Sequence, residues 1–162
     1  MPINYVIGDA TQPQTDGTFV IAHCVNDIGA WGAGFVVPLG REYPNAKILY
    51  QRNFAAYKLG DCQIVPVIGQ ANLKHGYVAN LFGQRGVGKD YKGRPAIRYQ
   101  ALWDAFDCLS NWLEVLNDSS IAIHMPRLGC GLAGGNWDLI GPMIESTFQG
   151  FPIFVYDLPE ES

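Results

Sequence analysis

Ile121-Ala122-Ile123-His124-Met125-Pro126-Arg127-Leu128-Gly129-Cys130-Gly131-Leu132-Ala133-Gly134-Gly135-Asn136-Trp137 reads as strand, glycine-rich loop and helix start in one continuous stretch. The apolar run 121–125 has the character of a buried strand. It stops at Pro126, which cannot donate to a sheet ladder. Gly129, Gly131, Gly134 and Gly135 follow, and then Ile140, Met143, Ile144, Thr147 and Phe148 recur at helical spacing. Such a loop lets backbone N–H groups approach an oxyanion closely. It is not a P-loop, because no Gly-Lys-Ser/Thr closes it. Gly129, Gly131 and Gly134 have dinucleotide-fingerprint spacing but lack the acidic residue about 20 positions on. A tight turn that needs positive φ is the competing explanation.

Working outward, the arrangement recurs. The apolar run 18–25 predicts a strand covered on both faces. Asn26-Asp27-Ile28-Gly29-Ala30-Trp31-Gly32-Ala33-Gly34 follows it, and 35–43 can open as a helix. Two glycine loops, each directly after a buried strand, predict a shared ligand crevice outside the carboxyl ends of the strands, with Asn26 and Asp27 at its lip. Ile3 to Ile7 predicts a first strand closed by Gly8-Asp9. Asp9 is either a turn cap or a carboxylate accepting from a ligand amino group.

Further predicted elements are a helix over 44–59, an edge strand over 61–68 containing Pro66, and a strand over 77–82. A helix over 97–116 follows, with Leu102, Phe106, Leu109, Leu113 and Leu116 on one face, and then a last strand over 152–158 and a short acidic tail. Between them, 83–94 is a polar loop carrying Arg85, Lys89, Lys92 and Arg94, either a solvated connection or a basic flap over an anion. The order β, β, α, α, β, β, α, β, α, β predicts an α/β protein with a mixed sheet covered by helices on both faces.

With 162 residues, 48% hydrophobic and 16% charged, the chain is expected to be one globular domain spanning 1–162. A net charge of −4 argues against a general nucleic-acid surface. Cys24, Cys62, Cys108 and Cys130 are scattered without zinc spacing, so no metal site is expected. Without a signal-peptide pattern or a membrane-length apolar stretch, the expectation is a cytoplasmic protein with reduced, mostly buried thiols. No membrane association and a monomeric state are also expected. His23, inside the second strand, reads more readily as a satisfied core group than as a catalyst, and His124 as structural.

The chain resembles a macrodomain, the three-layer α/β/α fold with a mixed, mainly parallel sheet that binds ADP-ribose. The resemblance spans essentially the whole sequence. Its carriers are Val6-Ile7-Gly8-Asp9, Ala22-His23-Cys24-Val25-Asn26 followed by Trp31-Gly32-Ala33-Gly34, Met125-Pro126-Arg127-Leu128-Gly129-Cys130-Gly131-Leu132, and Val155-Tyr156-Asp157-Leu158. It is nearest to the branch of ADP-ribose-1″-phosphate phosphatases and glutamate-type ADP-ribosyl hydrolases. What it implies is a binding set of Gly8, Asp9, Asn26, Trp31, Gly32, Ala33, Gly34, Arg127, Leu128, Gly129, Cys130, Gly131, Leu132, Ala133 and Tyr156. In that set Asp9 accepts from the adenine amino group, Asn26 lies beside the distal ribose, and the two glycine loops supply N–H groups to diphosphate and ribose. Tyr156 falls near the adenine or proximal ribose. No cofactor is implied.

The resemblance also has departures. The lysine that forms a covalent adduct in the de-ADP-ribosylating branch falls near Gly83-Gln84, and the aspartate after Gly-Cys-Gly-Leu is Ala133. The phosphatase branch fits better, with His23, Asn26 and Asp27 as catalytic candidates; His23 would orient or deprotonate water provided its ring reaches the cleft. Strand alternation sets His23 and Asn26 on opposite faces unless the strand ends by Val25. Three readings stay open: a hydrolase of ADP-ribose-1″-phosphate or a related conjugate, including an ADP-ribosylated protein without the covalent lysine; a non-catalytic ADP-ribose reader; and a module for another nucleotide diphosphate.

Overall fold

The structure, a computed structural model, describes residues 2–159; the tail residues Glu160, Glu161 and Ser162 lie outside them. The elements run β1 (Asn4–Ile7), β2 (Phe19–Asn26), α1 (Val36–Glu42), α2 (Pro44–Asn53), β3 (Cys62–Ile68), β4 (His75–Gln84), α3 (Tyr99–Leu116), β5 (Ala122–Met125), α4 (Trp137–Thr147) and β6 (Ile153–Asp157). They form a sheet ordered β1-β6-β5-β2-β4-β3. Every neighbouring pair is parallel except β3 with β4. The predicted order of elements and the mixed, mainly parallel sheet are therefore what the chain adopts.

The sheet is covered on both faces because its central strands are apolar on both. On one side the α3 stripe Leu102, Phe106, Leu109 and Leu113 packs with Ile140, Ile144 and Phe148 of the α4 segment against Ala22, Leu81 and Ile123. On the other, Leu39, Tyr43, Ala46 and Tyr50 of α1 and α2 cover Ile21, Val65, Val78 and Phe82. Each fully buried Leu, Ile, Val or Phe among them contributes about 1.5–3 kcal/mol. Beyond α2 the same face is covered by the loop after β1. There the buried His124 bonds Thr15 Oγ1 (3.1 Å) and the Tyr156 hydroxyl (2.8 Å).

Three expectations are corrected. The helix predicted over 44–59 stops at Asn53 and continues as a 3-10 turn, Phe54–Ala56. The aromatic residues at its end turn back onto the sheet, and Tyr57 stacks on Phe82 with centroids 5.0 Å apart. Gly83 and Gln84 belong to β4 and not to a polar loop. Finally, the thiols are not all reduced: Cys62 on β3 and Cys108 on α3 form a disulfide, while Cys24 and Cys130 are free. Spacing in sequence gives no hint of that pair, since it joins two elements that meet only through the packing of α3 on the sheet.

Candidate functional site: a cleft between two glycine loops

Because β1, β6, β5, β2 and β4 are parallel, their carboxyl ends meet at one edge of the sheet. A cavity of about 540 Å³ opens there between the loops that follow β2 and β5. Asn26, Gly32, Ala33, Gly34, Arg127, Leu128, Gly129, Gly131, Leu132 and Ala133 line it, as does His23. The two glycine loops singled out in the sequence thus face each other across one cleft.

Its walls are rich in unused amide donors. The N–H groups of Gly32, Ala33 and Gly34 on one side, and of Gly131, Leu132 and Ala133 on the other, have no acceptor among the described residues. The second loop is closed on itself by Gly134 N–H to Gly131 O (3.1 Å) and Gly135 N–H to Gly129 O (2.7 Å). Gly129 and Gly134 sit at φ +76° and +77°, the left-handed region that glycine tolerates. The charged wall residue is already compensated. Arg127 donates twice to Asp157, at 2.8 and 3.0 Å, and its guanidinium lies over the rings of Tyr5 and Trp137. That pair holds the Arg127 guanidinium above and the Asp157 carboxyl below their usual pKa ranges. An anion in this cleft therefore meets neutral amides first.

The polar residues around the first loop are structural in their bonding. The ladder shifts register between Val25 and Asn26, so alternation breaks there and the Asn26 side chain turns to the α2 side, the side His23 also faces. Asn26 Oδ1 accepts from Ile28 N–H (3.1 Å), Ala30 N–H (3.0 Å) and the Tyr50 hydroxyl (2.7 Å), while Nδ2 donates to Ala30 O (2.8 Å). Asn26 thus shapes the loop that carries the free amides. Asp27 accepts from Gly86 N–H at 2.7 Å and ties this loop to the one after β4. Replacing Tyr50 with Phe removes the hydroxyl from both Asn26 O and Oδ1. The expected cost is about 1 kcal/mol, read as a fall in Tm of about 2–4 °C. An unchanged Tm would show that loop bonding does not depend on that hydroxyl.

His23 touches the cleft wall but is held within the core. The residue is 2% exposed, and its ring lies edge-on to Trp31 and beside Phe35. Its Nε2 bonds Asn80 Oδ1, whose amide Nδ2 in turn donates to Gln63 Oε1 (3.0 Å) and Ala46 O (3.3 Å). That order of donors makes Nε2 the protonated nitrogen of a neutral ring. Burial, partly opposed by the Asn80 bond, lowers its pKa to about 4. Cys24, also on the wall, is pushed up to about 12 by burial.

Other implied residues fall outside the cavity lining. Trp31 is buried against His23 and Tyr50. The Cys130 side chain packs toward the α3–α4 core, and burial raises its pKa. Tyr156 is 4% exposed, with its hydroxyl engaged by Gln14 N–H and His124. Its ring lies under Gly8, where a Cβ would come within 3.5 Å of it. Asp9, past β1 at the far end of the same edge, uses Oδ1 to hold Thr11 N–H (2.9 Å) and the Thr11 hydroxyl (2.8 Å). No partner holds its Oδ2 among the described residues. Sequence reasoning missed Val87 and Gly88 of the loop after β4, and Phe35 and Val36 at the start of α1, which also line the cavity together with Ala30, Gln84 and Pro126. The alternation of Gly86, Val87 and Gly88 was the available signal.

No family model matches the chain. Solved structures do. A protein of unknown function from Bacteroides thetaiotaomicron is 38% identical with a TM-score of 0.86, covering 98% of this chain and 99% of its own. A macrodomain protein from Streptomyces coelicolor is 34% identical with a TM-score of 0.77, covering 96% of this chain and 98% of its own. Among curated proteins, chromodomain-helicase-DNA-binding protein 1-like of Danio rerio is 29% identical over 83% of this chain, which spans only 13% of that protein's length. The ADP-ribose glycohydrolase OARD1 of Homo sapiens is 26% identical over 96% of this chain and 91% of its own. The ADP-ribose 1″-phosphate phosphatase of Lodderomyces elongisporus is 26% identical over 97% of this chain and 100% of its own.

Proposed function

The chain belongs to the macrodomain family, and we propose that its cleft binds ADP-ribose. The observation that carries this is the set of backbone N–H groups without acceptors on the two facing loops. A diphosphate is the ligand fragment that uses several neutral donors on both sides of a cleft at once. The strand order supplies the length. Asp9 follows the end of β1 and Gln84 ends β4, and these strands are four spacings apart, roughly 19 Å at 4.8 Å each. That is a span suited to an extended dinucleotide-like molecule. In this reading the free Oδ2 of Asp9 takes the adenine amino group, the loops hold the diphosphate, and the distal ribose lies near Asn26, Val87 and Gly88. Gly8, Trp31, Cys130 and Tyr156 act by holding the backbone and loops in place.

Calorimetric titration with ADP-ribose tests this, repeated on Asp9→Ala. The expected result is saturable binding weakened more than tenfold by the substitution, over about 1.4 kcal/mol. Titration without heat or saturation would withdraw the reading. Equal affinity of the variant would withdraw the adenine contact alone.

The full-length curated relatives named as glycohydrolase and phosphatase favour a second reading, hydrolysis of ADP-ribose-1″-phosphate or a related conjugate. If it holds, we propose that His23 acts as a positioning residue beneath the first loop. A neutral ring bound to Asn80, with a pKa near 4, is a weak base at neutral pH. Nor does β4 have room for the covalent lysine at Gly83. A Cβ there would lie 2.9 Å from Cys24 Sγ and 3.0 Å from Leu102 Cδ1. Phosphate release that survives His23→Gln with its pH profile unshifted supports the positioning role.

A further inference from the structure

The loop after β4 carries charge that the cleft does not use. Arg85, Lys89, Lys92 and Arg94 lie on it, in a chain of net charge −4. Arg94 is spent on Asp90, with Nε to Oδ2 at 2.9 Å. Arg98, at the loop's end, donates to the carbonyls of Pro95, Ala96 and Ile97. Arg85, Lys89 and Lys92 have no carboxylate partner among the described residues and are exposed. None of the three lines the cavity, although Val87 and Gly88 between them do. Val87 and Gly88 thus put this segment at the cleft rim, with the three exposed charges outside the lining.

The loop is also held in shape. Asp90 Oδ1 accepts from Lys92 N–H and Arg94 N–H, both at 2.9 Å, and Asp90 N–H donates to Arg94 O. Arg85 N–H donates to Ala96 O, and Gly86 N–H to Asp27. Tyr91, 90% exposed, stands between the two lysines with the Lys92 ammonium 5.6 Å from its ring centroid. A preorganised loop loses little entropy on engaging a partner.

We propose that residues 85–92 form a docking platform for an acidic polypeptide segment attached to the distal ribose, so that the substrate class of this cleft is ADP-ribose carried on an acidic stretch of protein. This rests on the ADP-ribose reading, which puts the distal ribose at the β2–β4 end, beside Val87 and Gly88. A substituent on that ribose then leaves the cleft past Lys89, Tyr91 and Lys92. An acidic peptide matches the patch in sign and size. A nucleic-acid strand would need a longer run of cations to hold its phosphates, which a chain of net charge −4 does not offer around three residues.

The test uses the whole chain and peptides bearing one ADP-ribose through a hydrolysis-resistant linkage, flanked either by Glu and Asp or by Ser and Gly, with free ADP-ribose as reference. Wild type is expected to bind the acidic conjugate about tenfold more tightly than the neutral one, with the difference lost at high salt. The combined variant Arg85→Glu, Lys89→Glu, Lys92→Glu is expected to lose that preference and keep its affinity for free ADP-ribose. Equal binding of both conjugates by wild type overturns the proposal. So does a variant that loses free ADP-ribose, which would put the cations inside the site, and so does tighter binding of an ADP-ribosylated oligonucleotide than of the acidic peptide. Failure of wild type to bind free ADP-ribose overturns the underlying reading, and is told apart by that titration alone.

Discussion

Lowering the pH from 6.5 to 4 is expected to destabilise this protein by about 5 kcal/mol through His23 and His124, roughly half from each. Both imidazoles are buried and each has its pKa lowered from 6.5 to about 4, chiefly by burial, with the Lys74 charge adding to the effect at His124. The sign follows from proton counting. Below pH 6.5 the unfolded chain protonates both rings while the folded chain does not. Stability is therefore fully present above 6.5 and is lost as pH falls toward 4. Near pH 5 the slope approaches two protons, about 2.7 kcal/mol per pH unit. A loss of that size is comparable to the whole stability of an ordinary domain. Denaturant unfolding measured at steps across this window checks it, with the slope as the readout, since any substitution of a bonded histidine also shifts the baseline. His23→Gln and His124→Gln should each remove about half of the slope. Flat stability down to pH 4.5 would show that one or both rings accept a proton without unfolding, and the positioning role given to His23 would fall with it.

That both histidines lie in the core was within reach of the sequence, because each sits inside an apolar run with no charged residue directly beside it. The sheet and its helices were readable for the same reason: the stripe from Leu102 to Leu113 and the nearly all-apolar second strand each admit one placement. The glycine loops were readable as a pair, because two loops after two buried strands must open at one sheet edge once the strands are parallel. Other features depended on partners distant in sequence. The Asn80 amide that captures His23 is 57 residues away, and the Tyr50 hydroxyl that turns Asn26 inward belongs to another layer. Periodicity carries no information on such pairs. The resemblance set Tyr156 near the adenine or proximal ribose, and gave no sign that its hydroxyl bonds His124 and Gln14. The Cys62–Cys108 disulfide is of the same kind, a product of how α3 lies on β3.

Two glycines four residues apart should respond to the same substitution in different ways. Gly135→Val costs both stability and ADP-ribose affinity. A Cβ at that position would lie 2.4 Å from Gly129 O and 3.0 Å from Ile140 Cδ1, so the bond from Gly135 N–H to Gly129 O that closes the loop has to open. Overpacking against backbone costs about 1–3 kcal/mol, and the free amides of Gly131, Leu132 and Ala133 lose their arrangement. Gly131→Val leaves stability alone. Nothing lies within 4 Å of a Cβ there, and Gly131 is not among the glycines with positive φ. No feature of the unliganded fold asks for glycine at 131. The residue lines the cavity with a free N–H, and on the proposed reading glycine there leaves room for the ligand to approach. A side chain at 131 would occupy the space between the two sets of amide donors, and the expected loss of ADP-ribose affinity is at least a hundredfold, about 2.7 kcal/mol. Paired measurements of Tm and Kd decide the matter. Unchanged Tm with lost affinity at 131, against both lost at 135, places the diphosphate between the loops. Retained affinity in Gly131→Val would move the anion elsewhere along the sheet edge.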